Sequence, residues 1–243
     1  MRELRSILIF LAFTTLYGCS RSVESNTTST TDSITTDLII PVQAPTEKPK
    51  VSTYPESEDD TVTTIRFKEF SIRINRLILY DEENVMNQIQ GDTVEIHAEL
   101  GETIEGQLLS VVSGQLTDVK VEQRYQTSVT IMDEGPHCDL TEWKHFYSEW
   151  NLLNKNNQGQ FTCAKYTEKD IEIFPEISID DLKQKVKEEC GPEWFKLVEN
   201  IKTPTEYPSG VSISRYFLKV TGRSKSSGKT VTKVIIVETP MGC

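Results

Sequence analysis

Between residues 63 and 132 apolar and polar side chains alternate with a period of two, the signature of strands that bury one face. Ile65 and Phe67 alternate with Arg66 and Lys68, and Phe70, Ile72 and Ile74 continue the pattern. Val94, Ile96 and Ala98 repeat it after Gly91-Asp92. A third run covers 104–112 and stops at Ser113-Gly114. A fourth, 119–132, is long, with Val119, Val121, Tyr125, Val129 and Ile131 along one side. Near the C-terminus two β-branched runs, 211–221 and 230–238, flank a turn-rich connection from Gly222 to Lys229. That arrangement predicts an antiparallel hairpin.

Between these groups the period changes. Trp143, Phe146, Tyr147 and Trp150 fall at i, i+3, i+4 and i+7, and Asp139-Leu140-Thr141-Glu142 has the shape of a capping box, so a helix is predicted over 139–150. A second helix opens at Ser178 and turns Ile179, Leu182 and Val186 inward. Gly191-Pro192 ends it, and proline suits the first position of a third, short helix burying Trp194, Leu197, Val198 and Ile201. Strands, then helices, then strands predict an α+β fold: an antiparallel sheet with two or three helices packed on one face.

The N-terminus stands apart. Arg2 and Arg5 precede a ten-residue apolar stretch, 7–16, which leads into Tyr17-Gly18-Cys19. As a helix this stretch reaches only ~15 Å, about half of a hydrocarbon core, so a cleaved signal fits and a membrane span does not. Leu16-Tyr17-Gly18-Cys19 resembles the lipobox of bacterial lipoproteins. The resemblance implies cleavage after Gly18, acylation of Cys19 and attachment to the lipid bilayer through it. By the same resemblance the non-acidic Ser20 implies sorting to the outer membrane, with the mature protein facing the periplasm.

From 20 to 61 the chain is rich in Ser, Thr, Pro and acid, with Tyr54 its one aromatic residue. Such a segment buries too little apolar surface to offset its ordering entropy and reads as a flexible tether. The expected organisation is a signal peptide at 1–18, the lipidated Cys19 and tether at 19–61, and one domain at 62–243.

Charge narrows the partners. With 26 basic and 37 acidic side chains the formal charge is -11, which opposes binding to nucleic acid, where Lys and Arg must displace phosphate counterions. The same surface repels anionic headgroups, so the acyl anchor rather than a basic patch is expected to hold the membrane. Four cysteines follow Cys19: Cys138, Cys163, Cys190 and Cys243. In an oxidising periplasm they predict two disulfides, and the shortest compatible loops pair Cys138 with Cys163 and Cys190 with Cys243.

Catalytic patterns are incomplete. Gly222 and Gly228 enclose five residues where a phosphate loop has four, and strand sequence follows instead of a helix. Ser212 lacks the second glycine of a nucleophile elbow. The densest set of potential metal ligands is His137, Asp139, Glu142, His145 and Glu149, which supports a metal-dependent hydrolase as the second reading. On the expected helix, however, Glu142, His145 and Glu149 lie opposite the aromatic stripe and face solvent. Phe195, off its helix's main stripe, and Tyr207, in a proline-bounded loop, are the candidate binding residues. No cofactor is implied. The leading expectation is a non-enzymatic binding or assembly module of the cell envelope, with an envelope protein or glycan as partner.

Overall fold

The computed structural model describes residues 50–55, 61–80, 92–134 and 136–241. The signal peptide, Cys19, most of the expected tether and Cys243 lie outside the described residues. Strands account for 47% of these residues and helices for 13%, arranged as two sheets, one of them curled into a half-barrel. The expected α+β layering is corrected: this is a mostly β fold in which the helices do not cover a sheet.

The first sheet has the order β1 (Lys50–Pro55), β2 (Thr61–Arg66), β3 (Ser71–Asn75), β5 (Leu108–Val112) and β9 (Phe161–Thr162), all antiparallel. β1 lies inside the stretch read as tether. Pairing along six residues of β2 supplies the backbone partners that its weakly apolar sequence does not announce. The second sheet runs β4 (Thr93–His97), β11 (Thr230–Glu238), β10 (Ser209–Ser224), β6 (Leu116–Ile131) and β7 (Cys138–Tyr147), with β8 (Asn151–Leu152) also paired to β6. β4 is parallel to β11, whereas β10 and β11 form the expected antiparallel hairpin.

Alternation places the core between the sheets. Ile65, Ile72, Ile74 and Leu109 of the first sheet pack in one cluster with Val94, Ile96, Val121, Tyr125, Leu218, Val220, Ile235 and Val237 of the second. Gln123, buried in this layer, accepts from the Ala164 amide at 2.8 Å and donates to the Ala164 carbonyl at 3.3 Å. An inward polar side chain is thus satisfied by the incoming loop.

β6 and β10 each run sixteen residues and outreach the first sheet. Beyond it, Val129 and Ile131, of the same parity as Val121 and Tyr125, enter a second cluster with Leu140, Leu182, Val186, Val198 and Ile201. The helices α2 (Ile179–Glu189) and α3 (Pro192–Val198) belong to this end of the molecule, whereas α1 (Glu168–Ile171) sets Ile171 against the first cluster. Ser178 caps α2 by accepting from the Asp181 amide at 3.1 Å, and Gly191 at φ +89° turns the chain into Pro192. Left-handed backbone of this kind costs glycine least.

The predicted helix over 139–150 is the strand β7. Val129 opposes Leu140 and Ser128 opposes His145, so four residues, Thr141 to Lys144, bulge out between consecutive rungs. This insertion breaks the period of two and gives the aromatics their helix-like spacing. Aromatic and β-branched side chains favour a strand once a partner is available, and β6 is that partner.

Candidate functional site

From Lys120 onward the even-numbered side of β6 faces away from both clusters, and pairing extends it across the second sheet. One cross-strand row reads His97, Glu238, Arg215, Gln126 and Tyr147, on β4, β11, β10, β6 and β7. Two residues along the strands, the next row reads Glu95, Ile236, Phe217 and Arg124. A third adds Thr93, Val234, Lys219, Glu122 and Leu152.

Arg215 organises the first row. Its side chain is 15% exposed. Nε donates to Glu238 at 3.0 Å and lies 3.4 Å from Glu95, while the terminal nitrogen reaches Glu238 at 2.7 Å and also Glu142. His97 Nδ1 lies 3.4 Å from the other Glu238 oxygen. Burial works against the Arg215 charge, but hydrogen bonds to Glu142 and Glu238 outweigh it and hold the guanidinium above its ordinary range. The hydrogen bond from His97, with those from Arg215 overcoming burial, pulls Glu238 down to about 2. The same contact with Glu238 raises His97 against partial burial. Fixed opposite charges therefore line this row.

Beside Arg215 lies a cluster of neutral polar groups. Ser128 Oγ is 2.7 Å from Ser214 Oγ and 3.1 Å from His145 Nδ1, and Gln126 Nε2 donates to Ser214 at 3.0 Å. Burial and then the Arg215 charge lower the His145 pKa, favouring neutral imidazole. A serine beside neutral imidazole is the beginning of a nucleophile and base pair. Ser128 and Ser214 are fully buried, however, so no substrate carbonyl reaches either hydroxyl. The cluster satisfies polar groups beneath a β-bulge at Ser214 and locks β7 to β10 through β6.

The second and third rows carry cations on aromatic rings. The Arg124 guanidinium lies 4.8 Å from the Tyr147 ring centre, 4.6 Å from Trp150 and 4.8 Å from Phe217. Lys219 sits 4.2 Å over Trp150 and 2.9 Å from Glu122. Arg124 Nε is buried without a hydrogen-bond partner, so ring faces carry much of its stabilisation. Tyr147 at 44% and Leu152 at 57% exposure form the apolar edge of this cluster. Beyond His97, at the other end of the first row, the face meets a cleft of about 370 Å³ lined by Tyr80, Asp139, Thr141 and Met241 together with His97 and Glu238.

The sequence-predicted site residues fall in several places. His145 joins the buried cluster, and Asp139 accepts from Thr130 at 2.5 Å. His137 Nδ1 is buried without a partner, and Glu149 is exposed. Among the described residues no three His, Cys, Asp or Glu side chains converge on a metal position, so the His137, Asp139, His145 and Glu149 set has no geometric support there. Phe195 is half-buried against the second cluster with Lys187 over its ring, whereas Tyr207 is 70% exposed.

The expected disulfide pairing is also corrected. Cys138 is bonded to Cys190, and Cys163 is a free, buried thiol. The bond ties the start of β7 to the end of α2. Loop length alone does not identify a partner when strand pairing and helix packing bring a more distant cysteine into range. Among the described residues no helix is long and apolar enough to cross a membrane.

Sequence reading missed Arg215, Glu238, Ser128, Ser214, Arg124 and Lys219. The alternating polar series Glu122, Arg124, Gln126, Ser128 signals an outward face, but its partners depend on strand register. No known protein family, curated protein or solved structure matches the chain.

Proposed function

We propose that the protein is a lipid-anchored, non-enzymatic binding or assembly module of the bacterial cell envelope, held through Cys19 in the outer membrane and facing the periplasm. Its partner is an envelope protein or glycan that docks on the outward face of the second sheet. The observation carrying this reading is the Arg124, Tyr147, Trp150, Phe217 and Lys219 cluster, with exposed Tyr147 and Leu152 at its edge. Aromatic rings held rigid by stacked cations offer contact area at low entropic cost, the kind of anchor that dominates binding energy. The polar row beside it supplies fixed charges for orientation.

A photo-crosslinking residue replacing Leu152, in the intact envelope, should capture one discrete partner. Arg124→Ala should abolish that capture while the domain remains folded. Capture that is equally strong from Lys202, at the helical end, or that survives Arg124→Ala rejects this face as the docking site. Metabolic labelling with an alkyne fatty acid tests the anchor separately: label retained by Cys19→Ala rejects it.

A further inference from the structure

The Gly222–Lys229 connection, set aside as a phosphate loop, forms with its neighbours a basic end on an otherwise acidic chain. The β10–β11 hairpin tip exposes Arg223, Lys225 and Lys229. Arg223 pairs across to Thr117 and Thr221 to Lys120, which brings the exposed Lys120 of β6 alongside. Lys225 donates its backbone amide to Gln115 and its ammonium to the Gly114 carbonyl, fastening the tip to the β5–β6 turn. Ser113 of that turn donates to the Glu69 carbonyl at 2.9 Å, which places the β2–β3 turn and its exposed Lys68 at the same end.

The nearby carboxylates are partly occupied. Asp92 and Glu69 both face Lys233, at 2.5 and 3.8 Å. One lysine offsets only one of these two charges, so with Asp118, which accepts from Thr117 at 3.4 Å, two carboxylate charges stand against the five exposed cations Lys68, Lys120, Arg223, Lys225 and Lys229. Hydroxyls of Ser224, Ser226, Ser227 and Thr230 stand among these cations on the tip. They supply the neutral donors that phosphate oxygens accept from.

Position adds the second argument. β1 begins at Lys50, and Lys50 pairs with Arg66, the last residue of β2 before the Lys68 turn. The described chain therefore enters the domain at its basic end. We propose that this end docks on the anionic phospholipid headgroups of the membrane that carries the acyl anchor. The acidic remainder of the chain is repelled by the same surface, so the domain stands tip-down with the outward face of the second sheet free for its partner. A polybasic patch is a recognised membrane signal beside acylation, and here it orients a domain that the anchor already holds at the surface. The inference deepens the membrane-anchored reading, and it revises the expectation that no basic patch contributes.

The test uses the expected mature chain, residues 19–243, carrying Cys19→Ala so that neither the signal segment nor acylation plays a part, in sedimentation with vesicles of phosphatidylcholine alone or with 30% phosphatidylglycerol. Each basic side chain near an anionic surface is worth about a fivefold gain in partitioning. The triple variant Arg223→Gln, Lys225→Gln, Lys229→Gln should therefore lose on the order of a hundredfold in binding to the anionic vesicles. A control of equal net charge, Lys187→Gln, Lys196→Gln, Lys202→Gln at the helical end, should retain binding. Wild-type binding should also fall steeply between low and 0.5 M salt as the Debye length shrinks. Equal losses in the two triple variants, or tip-variant binding equal to wild type, overturn the proposal. Because the protein tested has no acyl group, that failure leaves the fatty-acid labelling result untouched, and the two readings fail separately.

Discussion

Replacing Glu238 by glutamine removes the carboxylate that joins His97 to Arg215 while keeping its shape. The ionised form of Glu238 is favoured from an ordinary 4.5 down to about 2. At 1.36 kcal/mol per pKa unit that difference is worth about 3 kcal/mol. The side chain is 27% exposed, so solvent screening reduces the expected contribution to about 2 kcal/mol. The folded-state pKa lies below the unfolded one. The stabilisation is therefore fully present above pH 4.5 and is lost as pH falls from 4.5 through about 2.

His97 has the opposite sign. Its raised pKa stabilises the fold below 6.5 and that contribution fades as pH rises through the folded value. It is the same contact seen from the other partner and is counted once. Urea unfolding of wild type and Glu238→Gln at intervals from pH 2 to pH 7.5 measures the gap directly. The expected gap is about 2 kcal/mol at pH 5.5, slightly smaller at pH 7.5, and near zero at pH 2. Other carboxylates protonate in both proteins and cancel in the difference. A gap that is absent at pH 5.5, or that persists unchanged to pH 2, refutes the proposed role of the pair.

Two further outcomes follow from the cysteines. The Cys138–Cys190 bond closes a separation of 52 residues, for which the chain-entropy relation gives about 4 kcal/mol as an upper value. Cys138→Ser should lower stability by about 2–4 kcal/mol, and non-reduced peptide mapping should recover Cys138 joined to Cys190; a Cys138–Cys163 peptide would disprove the assignment. Burial pushes the Cys163 thiol up to about 12, so in native protein at pH 8 it should resist iodoacetamide and react only in urea. Prompt native labelling at Cys163, read peptide by peptide, contradicts the buried site.

The sheet face and its buried polar cluster also explain why a Ser and His contact does not amount to an active site here. Ser128 sits on a central strand, sealed by its neighbours on both sides, whereas a catalytic hydroxyl needs an exposed position at which a substrate carbonyl and oxyanion donors can meet. What the arrangement does accomplish is mechanical. It connects β6, β7 and β10 through side chains at the point where both β7 and β10 depart from regular pairing. That rigidity holds Tyr147 beside Arg124 and presents the cation and ring cluster as a fixed surface.

Some features of the chain are decided within a few residues of sequence. The alternation of Ile72 and Ile74, or of Val94 and Ile96, names a strand and its buried side because side-chain direction has a period of two whatever the partner. Ser178 and Gly191-Pro192 mark the limits of α2 and α3 because caps satisfy neighbouring amides. The β10–β11 hairpin is legible for a similar reason, its turn lying between two β-branched runs.

Everything that depended on a distant partner was decided by the tertiary structure. Residues 139–147 have an aromatic spacing compatible with a helix, and only pairing with β6 and the four-residue bulge made them β7. β1 has little apolar pattern and is a strand because β2 offers it a complete backbone ladder. Cys138 meets Cys190 because Leu182 and Val186 of α2 share a hydrophobic cluster with Val129, Ile131 and Leu140 of β6 and β7. The row from His97 to Tyr147 joins residues separated by up to 141 positions in the chain, and no local pattern encodes register between strands. Local chemistry set the elements, while long-range pairing chose their partners, and the charged face exists only as a consequence of that choice.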